Sequence, residues 1–213
     1  MIKFMFCIFT LLAINSVNGQ VSLDLTNDQE LSTTFSDSEL KGIASIIQYV
    51  DQKVLSDTGE MDIEKAYHSY FEKIATSKEY IVPFKEENKY QFLESLDPAV
   101  FNSFWNFTYE HAGISYKDSM YRDVKNFKML DLKPESRYIK YLQKLGKTDP
   151  YFKSLHYELY MAGDLSHDYS EWFPRSHEHF DFNLPKNRLW ATVYLLRREE
   201  NILKKFEQYL RNQ

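Results

Sequence analysis

The chain has 213 residues, a formal charge of −5, one cysteine, six glycines, and sixteen each of tyrosine and phenylalanine. The acidic balance weighs against general binding to nucleic acid or anionic lipid, since both call for a basic surface. One cysteine excludes an intramolecular disulfide and a Cys-based metal site, and scarce glycine weighs against phosphate loops and many-turned β architectures.

Met1 to Gly19 reads as a signal peptide. Lys3 supplies the positive start, Phe4 to Ile14 is an apolar run too short to span a bilayer comfortably, and Val17 and Gly19 suit a cleavage site before Gln20. Cys7 lies inside this leader, so the mature chain has no cysteine; losing Lys3 brings its charge to −6. An exported chain without disulfides points to a bacterial periplasm or cell exterior. No later segment has the length and apolarity of a membrane span.

Residues 20–35 are polar and aperiodic and read as a flexible N-terminal arm. Ser36-Asp37-Ser38-Glu39 then forms a capping box ahead of Leu40, Ile43, Ala44, Ile47, Val50 and Val54 at helical spacing. Asp51 falls within that apolar arc, in the last turns, where fraying or a tilt is expected to free it. A second helix starts near Asp62, with Ile63, Tyr67, Tyr70, Phe71 and Ile74 on one side. The acidic turn between the two is not a calcium loop. Aligning Gly59 with the obligatory glycine puts Val54 and Lys65 where carboxylate ligands belong.

Tyr80 to Phe84 reads as an extended connector and Glu86 to Leu96 as helix. Asp97-Pro98 is a cap with a first-turn proline, and Val100, Phe101, Phe104 and Trp105 continue the helical spacing. Asn106-Phe107-Thr108 matches a glycosylation acceptor. Lys117 to Phe127 reads as a moderate helix followed by a connector. Lys133-Pro134 starts another helix that Gly146 stops, and Asp149-Pro150 repeats the cap-plus-proline device. Tyr151 to Ala162 carries bulky apolar groups on nearly every side, which predicts a central helix.

Leu165 to Leu184 reads as a long non-periodic connector, a kind of segment that is often functional. It holds His167, His177 and His179 among Asp168, Glu171, Glu178 and Asp181. Histidine with carboxylate suits zinc or a similar divalent metal. A site drawn from His177, His179, Asp181 and Glu199 is the candidate, although the helical H-E-x-x-H spacing is absent.

Pro185 to Leu210 is the longest unbroken helical pattern. Leu195, Leu196, Ile202, Leu203, Phe206, Tyr209 and Leu210 fall on one arc, with Glu199 in its middle. A carboxylate there must pair with an Arg, Lys or Tyr of a neighbouring helix, or serve an internal polar site. From Lys186 onward the chain is +4, against −10 for the rest of the mature chain. The seven-residue spacing of Arg197, Lys204 and Arg211 aligns them on one helical face, a surface for an acidic protein or an anionic envelope glycan.

The fold expected is all-α: one irregular bundle of about six to eight helices over residues 36–213, after the leader and the arm. The function expected is an exported, soluble, non-enzymatic binding or interaction domain. The alternative is a metal-dependent hydrolase built on the His-rich connector.

Overall fold

The computed structural model describes residues 23–79, 81–163, 167–198 and 200–213, without the side chains of residues 162 and 167–169. The predicted leader and its Cys7 lie outside these residues, and so does Glu199.

The first half is helical where caps and periodicity said so. After a short α1 (Gln29–Ser32), α2 runs Asp37–Thr58. Its capping box is formed: the Glu39 N–H donates to Ser36 Oγ at 3.4 Å and the Ser36 N–H to Glu39 Oε2 at 2.9 Å. Gly59 ends α2 at φ 73°, a left-handed cap that costs glycine little. Asp62 caps α3 (Ile63–Thr76). Then come α4 (Glu86–Glu94) and α5 (Pro98–Asn102), the latter capped by Asp97. The segment read as an arm contributes Leu25, Leu31 and Phe35 to the core.

Gly42 is required by close approach, not by φ. A Cβ built there would lie 2.4 Å from Val100 Cγ2, because α5 crosses α2 at this point. Gly42→Ala is therefore expected to force the helices apart and destabilise the protein by about 1–3 kcal/mol. A thermal melt unchanged within a degree would show that Val100 yields freely.

The all-α expectation fails between α5 and residue 133. Four strands form there: β1 (Trp105–Thr108), β2 (His111–Tyr116), β3 (Ser119–Val124) and β4 (Met129–Leu132). β2 and β3 pair around the two-residue turn Lys117–Asp118, and β1 pairs with β4 outside them. The result is one antiparallel ribbon in two ladders, and the fold is mixed α/β. Trp105 opposes Leu132, whereas His111 opposes Val124, so the register slips by two residues between the ladders. Asp123 (φ 52°) and Asn126 (φ 58°) absorb the slip in left-handed conformations that Asp and Asn tolerate. The predicted helix over Lys117–Phe127 is thus the turn and second strand of the distal hairpin with the residues after it, and the glycosylation triplet lies on β1.

The second half returns to helices: α6 (Arg137–Leu145), α7 (Pro150–Ala162) and α8 (His167–Arg175), then a 3-10 turn at His177–His179. The last two occupy the stretch read as a non-periodic connector. The chain ends with α9 (Pro185–Arg197) and α10 (Ile202–Arg211). The single terminal helix predicted over Pro185–Leu210 is therefore two. Asn201 turns extended (φ −67°, ψ 109°) and caps α10, its Oδ1 accepting from the Lys204 N–H at 3.1 Å.

The central helix is α9, not α7. Every residue from Asn187 to Arg197 is buried. On α7, Phe152, Leu155 and Leu159 face inward while Tyr157, Tyr160 and Met161 face out. The main core joins α2, α3, α6, α7 and α9. A smaller cluster sets Phe206 of α10 against Ile114, Val124, Phe127 and Met129 of the ribbon. Among the described residues no helix is long and apolar enough to cross a membrane.

Candidate functional site

Two buried ion networks surround α9. Asp51 is enclosed between α2 and α9. It accepts from Arg188 Nε at 3.0 Å and from the Tyr67 hydroxyl at 2.8 Å. The expectation that fraying or tilt frees it is overturned, since only 3 % of the residue is exposed. Burial, then the nearby Asp51 carboxylate, push the Tyr67 phenol well up.

The second network lies at the α9–α10 break. Glu200 accepts from Lys89 Nζ at 2.6 Å, Lys205 Nζ at 3.0 Å, the Tyr90 hydroxyl at 2.9 Å and the Leu130 N–H at 2.9 Å. Lys89 also donates to the Leu196 carbonyl at 3.1 Å, satisfying one of the orphan acceptors at the end of α9. Burial alone would raise the Glu200 carboxyl. The two ammonium groups and the backbone N–H outweigh it and hold the group below its ordinary value. Both networks pair charge with charge, so their role is to fix the helices.

The segment after α7 carries accessible aromatic and polar residues together. A cleft of about 280 Å³ opens between the start of α7, α8, the 3-10 turn and the start of α9. Trp172, Tyr151 and Phe180 form its aromatic wall. Trp172 and Tyr151 stack at 5.5 Å between centroids, and Phe180 meets Tyr151 edge-on at 4.8 Å. Asp149, His179, Asp181, Lys186 and Asn187 supply the polar rim. Part of that rim is already engaged: Lys186 pairs with Asp149 at 2.7 Å, and Asn187 Nδ2 donates to the Asp181 carbonyl at 2.9 Å. Trp172 is 42 % exposed, whereas Trp105 and Trp190 are buried.

The predicted metal residues divide. His179 and Asp181 border this cleft. His177 turns the other way, into α3, where its Nδ1 lies 3.0 Å from His68 Nδ1. Among the described residues no group of three or more His, Cys, Asp or Glu converges as a metal centre would need. Sequence reasoning missed His68 and its flanking acids. Glu64, His68 and Glu72 recur every fourth residue and so share one face of α3, which was the available signal.

The predicted basic face is also divided by the helix break. Arg197 belongs to α9 and is buried with Asp131 at 3.6 Å, while Lys204 and Arg211 belong to α10. Arg211 pairs with Glu207 at 2.6 Å. The chain matches no protein-family model, no curated protein and no solved structure.

Proposed function

We propose that the chain is an exported ligand-binding domain with no catalytic role, and that its ligand enters the aromatic cleft beside Trp172. The observation that carries this reading is the half-exposed indole of Trp172, backed by Tyr151, in a concave site with polar groups at its edge. Such sites hold small ligands by an apolar contact and orient them by a few hydrogen bonds. A flat apolar face with hydroxyls around it, as on a sugar ring, fits both parts. With Asp149 paired to Lys186, the Asp181 carboxylate at the rim favours a neutral or basic saccharide over the anionic glycan or acidic protein surface suggested by the basic-residue spacing. The divided basic residues Arg197, Lys204 and Arg211 support the same choice.

The test uses the indole itself. Trp172 is the exposed member of the three tryptophans, so quenching by acrylamide reports mainly on it. A panel of neutral, basic and acidic saccharides is expected to include at least one that shields Trp172 and shifts its emission. Trp172→Ala is expected to weaken that binding about tenfold or more, with little loss of stability. A panel that leaves Trp172 equally quenchable throughout would remove the cleft as a saccharide site.

A further inference from the structure

The contact between His68 and His177 joins two parts of the chain that share no continuous element. His68 sits on α3, and His177 on the 3-10 turn that follows α8. The two Nδ1 atoms are 3.0 Å apart and the ring centroids 5.2 Å, so the nitrogens face each other nearly head-on. The remaining ring nitrogens face carboxylates. His68 Nε2 lies 3.0 Å from Glu64 Oε1, and His177 Nε2 lies 3.2 Å from Glu72 Oε2. Four groups thus form one chain, Glu64–His68–His177–Glu72.

Hydrogen-bond chemistry fixes how many protons this chain holds. An ionised carboxylate only accepts, so each Nε2 carries a hydrogen to make its bond. The central contact then needs one hydrogen, and only one. With none, two lone pairs oppose each other at 3.0 Å, or one carboxylate bond is given up. With two, N–H meets N–H and two cations face each other without an acceptor. All three contacts are made together only by an imidazole–imidazolium pair carrying a single positive charge.

We infer that this histidine pair is a proton-dependent latch, closed in its singly charged form and opened by gain or loss of one proton, that holds the cleft wall against α3. The wall and the latch share one stretch of chain. Trp172 precedes His177 on α8, and His179, Phe180 and Asp181 follow it directly. Opening the latch releases the stretch that carries the aromatic wall.

Charged groups lie around the pair on several elements. On α3, Glu64 and Glu72 bracket it, and Glu64 Oε2 is enclosed without a hydrogen-bond partner among the described residues. From the following chain, Phe182 covers the His68 ring edge-on at 5.1 Å and contributes no charge. On α8, Arg175 and Glu171 offset each other at 3.6 Å. Glu178 and His179 are the other titratable groups of the turn. Behind α3, Asp51 and Arg188 neutralise each other next to Tyr67. The effect on ligand affinity rests on the cleft reading above; the latch does not, and its test uses no ligand.

The experiment follows the histidine ring nitrogens of the folded chain by NMR, together with Trp172 emission, from about pH 5 to about pH 8, where imidazoles change charge. A strongly downfield proton coupled to both Nδ1 atoms is expected in part of this range. Its loss on acidification is expected to coincide with a change in Trp172 emission. In a His179→Gln background, which removes the imidazole stacked 6.5 Å from the Trp172 ring, His177→Phe keeps a ring at the site and is expected to make the emission independent of pH. Glu72→Gln, at an exposed position, removes a stabilising negative charge and is expected to move both transitions to lower pH. Absence of coupling between the nitrogens across the range overturns the latch, as does pH-dependent emission that survives His177→Phe in the His179→Gln background. Stoichiometric uptake of a divalent metal between the same nitrogens also overturns it, because the ion would take the place of the proton.

Discussion

Glu200→Ala is expected to cost the protein about 3–5 kcal/mol, the usual penalty for removing one partner of a buried ion pair. The side chains of Glu200 and Lys89 are fully enclosed, and that of Lys205 nearly so. Without the carboxylate, Lys89 loses its 2.6 Å contact with Oε1, and the Leu130 N–H loses its side-chain acceptor. For a chain of this size the melting temperature should fall by roughly 10 °C. The loss comes from stranded charge, so Lys89→Met combined with Glu200→Leu should be milder than Glu200→Ala alone. A double variant that melts no higher than Glu200→Ala would mean that packing, not charge, dominates. The same carboxylate sets an acid limit. Its folded value lies below its ordinary 4.5, so the unfolded chain takes up this proton first as pH falls. The contribution of Glu200 is complete above that ordinary value and is lost as pH drops through the depressed one. An acid titration of wild type against Glu200→Gln should show the difference in slope disappearing above the ordinary value.

This network also marks the limits of what the sequence discloses. Helix starts were legible because their signals are local: Ser36 with Glu39, Asp62, Asp97-Pro98 and Asp149-Pro150 each cap a helix within a few residues. The break before α10 was local too. Asn201 ahead of Ile202 and Leu203 is a cap followed by apolar residues, but neither glycine nor proline announced it. Counting 100° per residue through the break placed Glu199, which lies outside the described residues, in the apolar arc, and did not single out Glu200, which is buried. The ribbon was hidden for a different reason. β2 and β3 are largely exposed and lack alternating apolar residues, because α10 covers the hairpin chiefly through Phe206. Its turn is Lys117–Asp118, not Asn-Gly, and Lys117 takes a positive φ of 52° without being glycine. The stretch read as a non-periodic connector contains α8, a formed helix with Pro174 in its last turn. The cleft and the histidine pair unite residues far apart in sequence, so local clustering could mark His177 and His179 but not what they would face.

Asp51→Ala is the second large effect expected, again about 3–5 kcal/mol and roughly 10 °C. Asp51 and Arg188 are both nearly enclosed, and the guanidinium meets the carboxylate through Nε and Nη2, a two-pronged geometry that fixes angle as well as distance. This contact pins α2 to the first turn of α9, just where the chain leaves the cleft. Removing Asp51 strands the guanidinium and takes the carboxylate from the Tyr67 hydroxyl, which is itself enclosed. Asp51→Asn keeps an acceptor for the hydroxyl and for one guanidinium nitrogen, so its cost should fall between zero and that of alanine. Arg188→Met alone should be as harmful as Asp51→Ala, because it leaves a carboxylate in the core. Joined with Asp51→Leu and Tyr67→Phe, the same change removes both charges and the phenol together and should recover most of the lost stability. If Asp51→Ala melts within 2–3 °C of wild type, roughly 1 kcal/mol at this size, the pair does not hold α2 and α9 together. In that event the helices rely on Ile43, Ile47, Val50, Leu189 and Val193 alone, all buried in the same core.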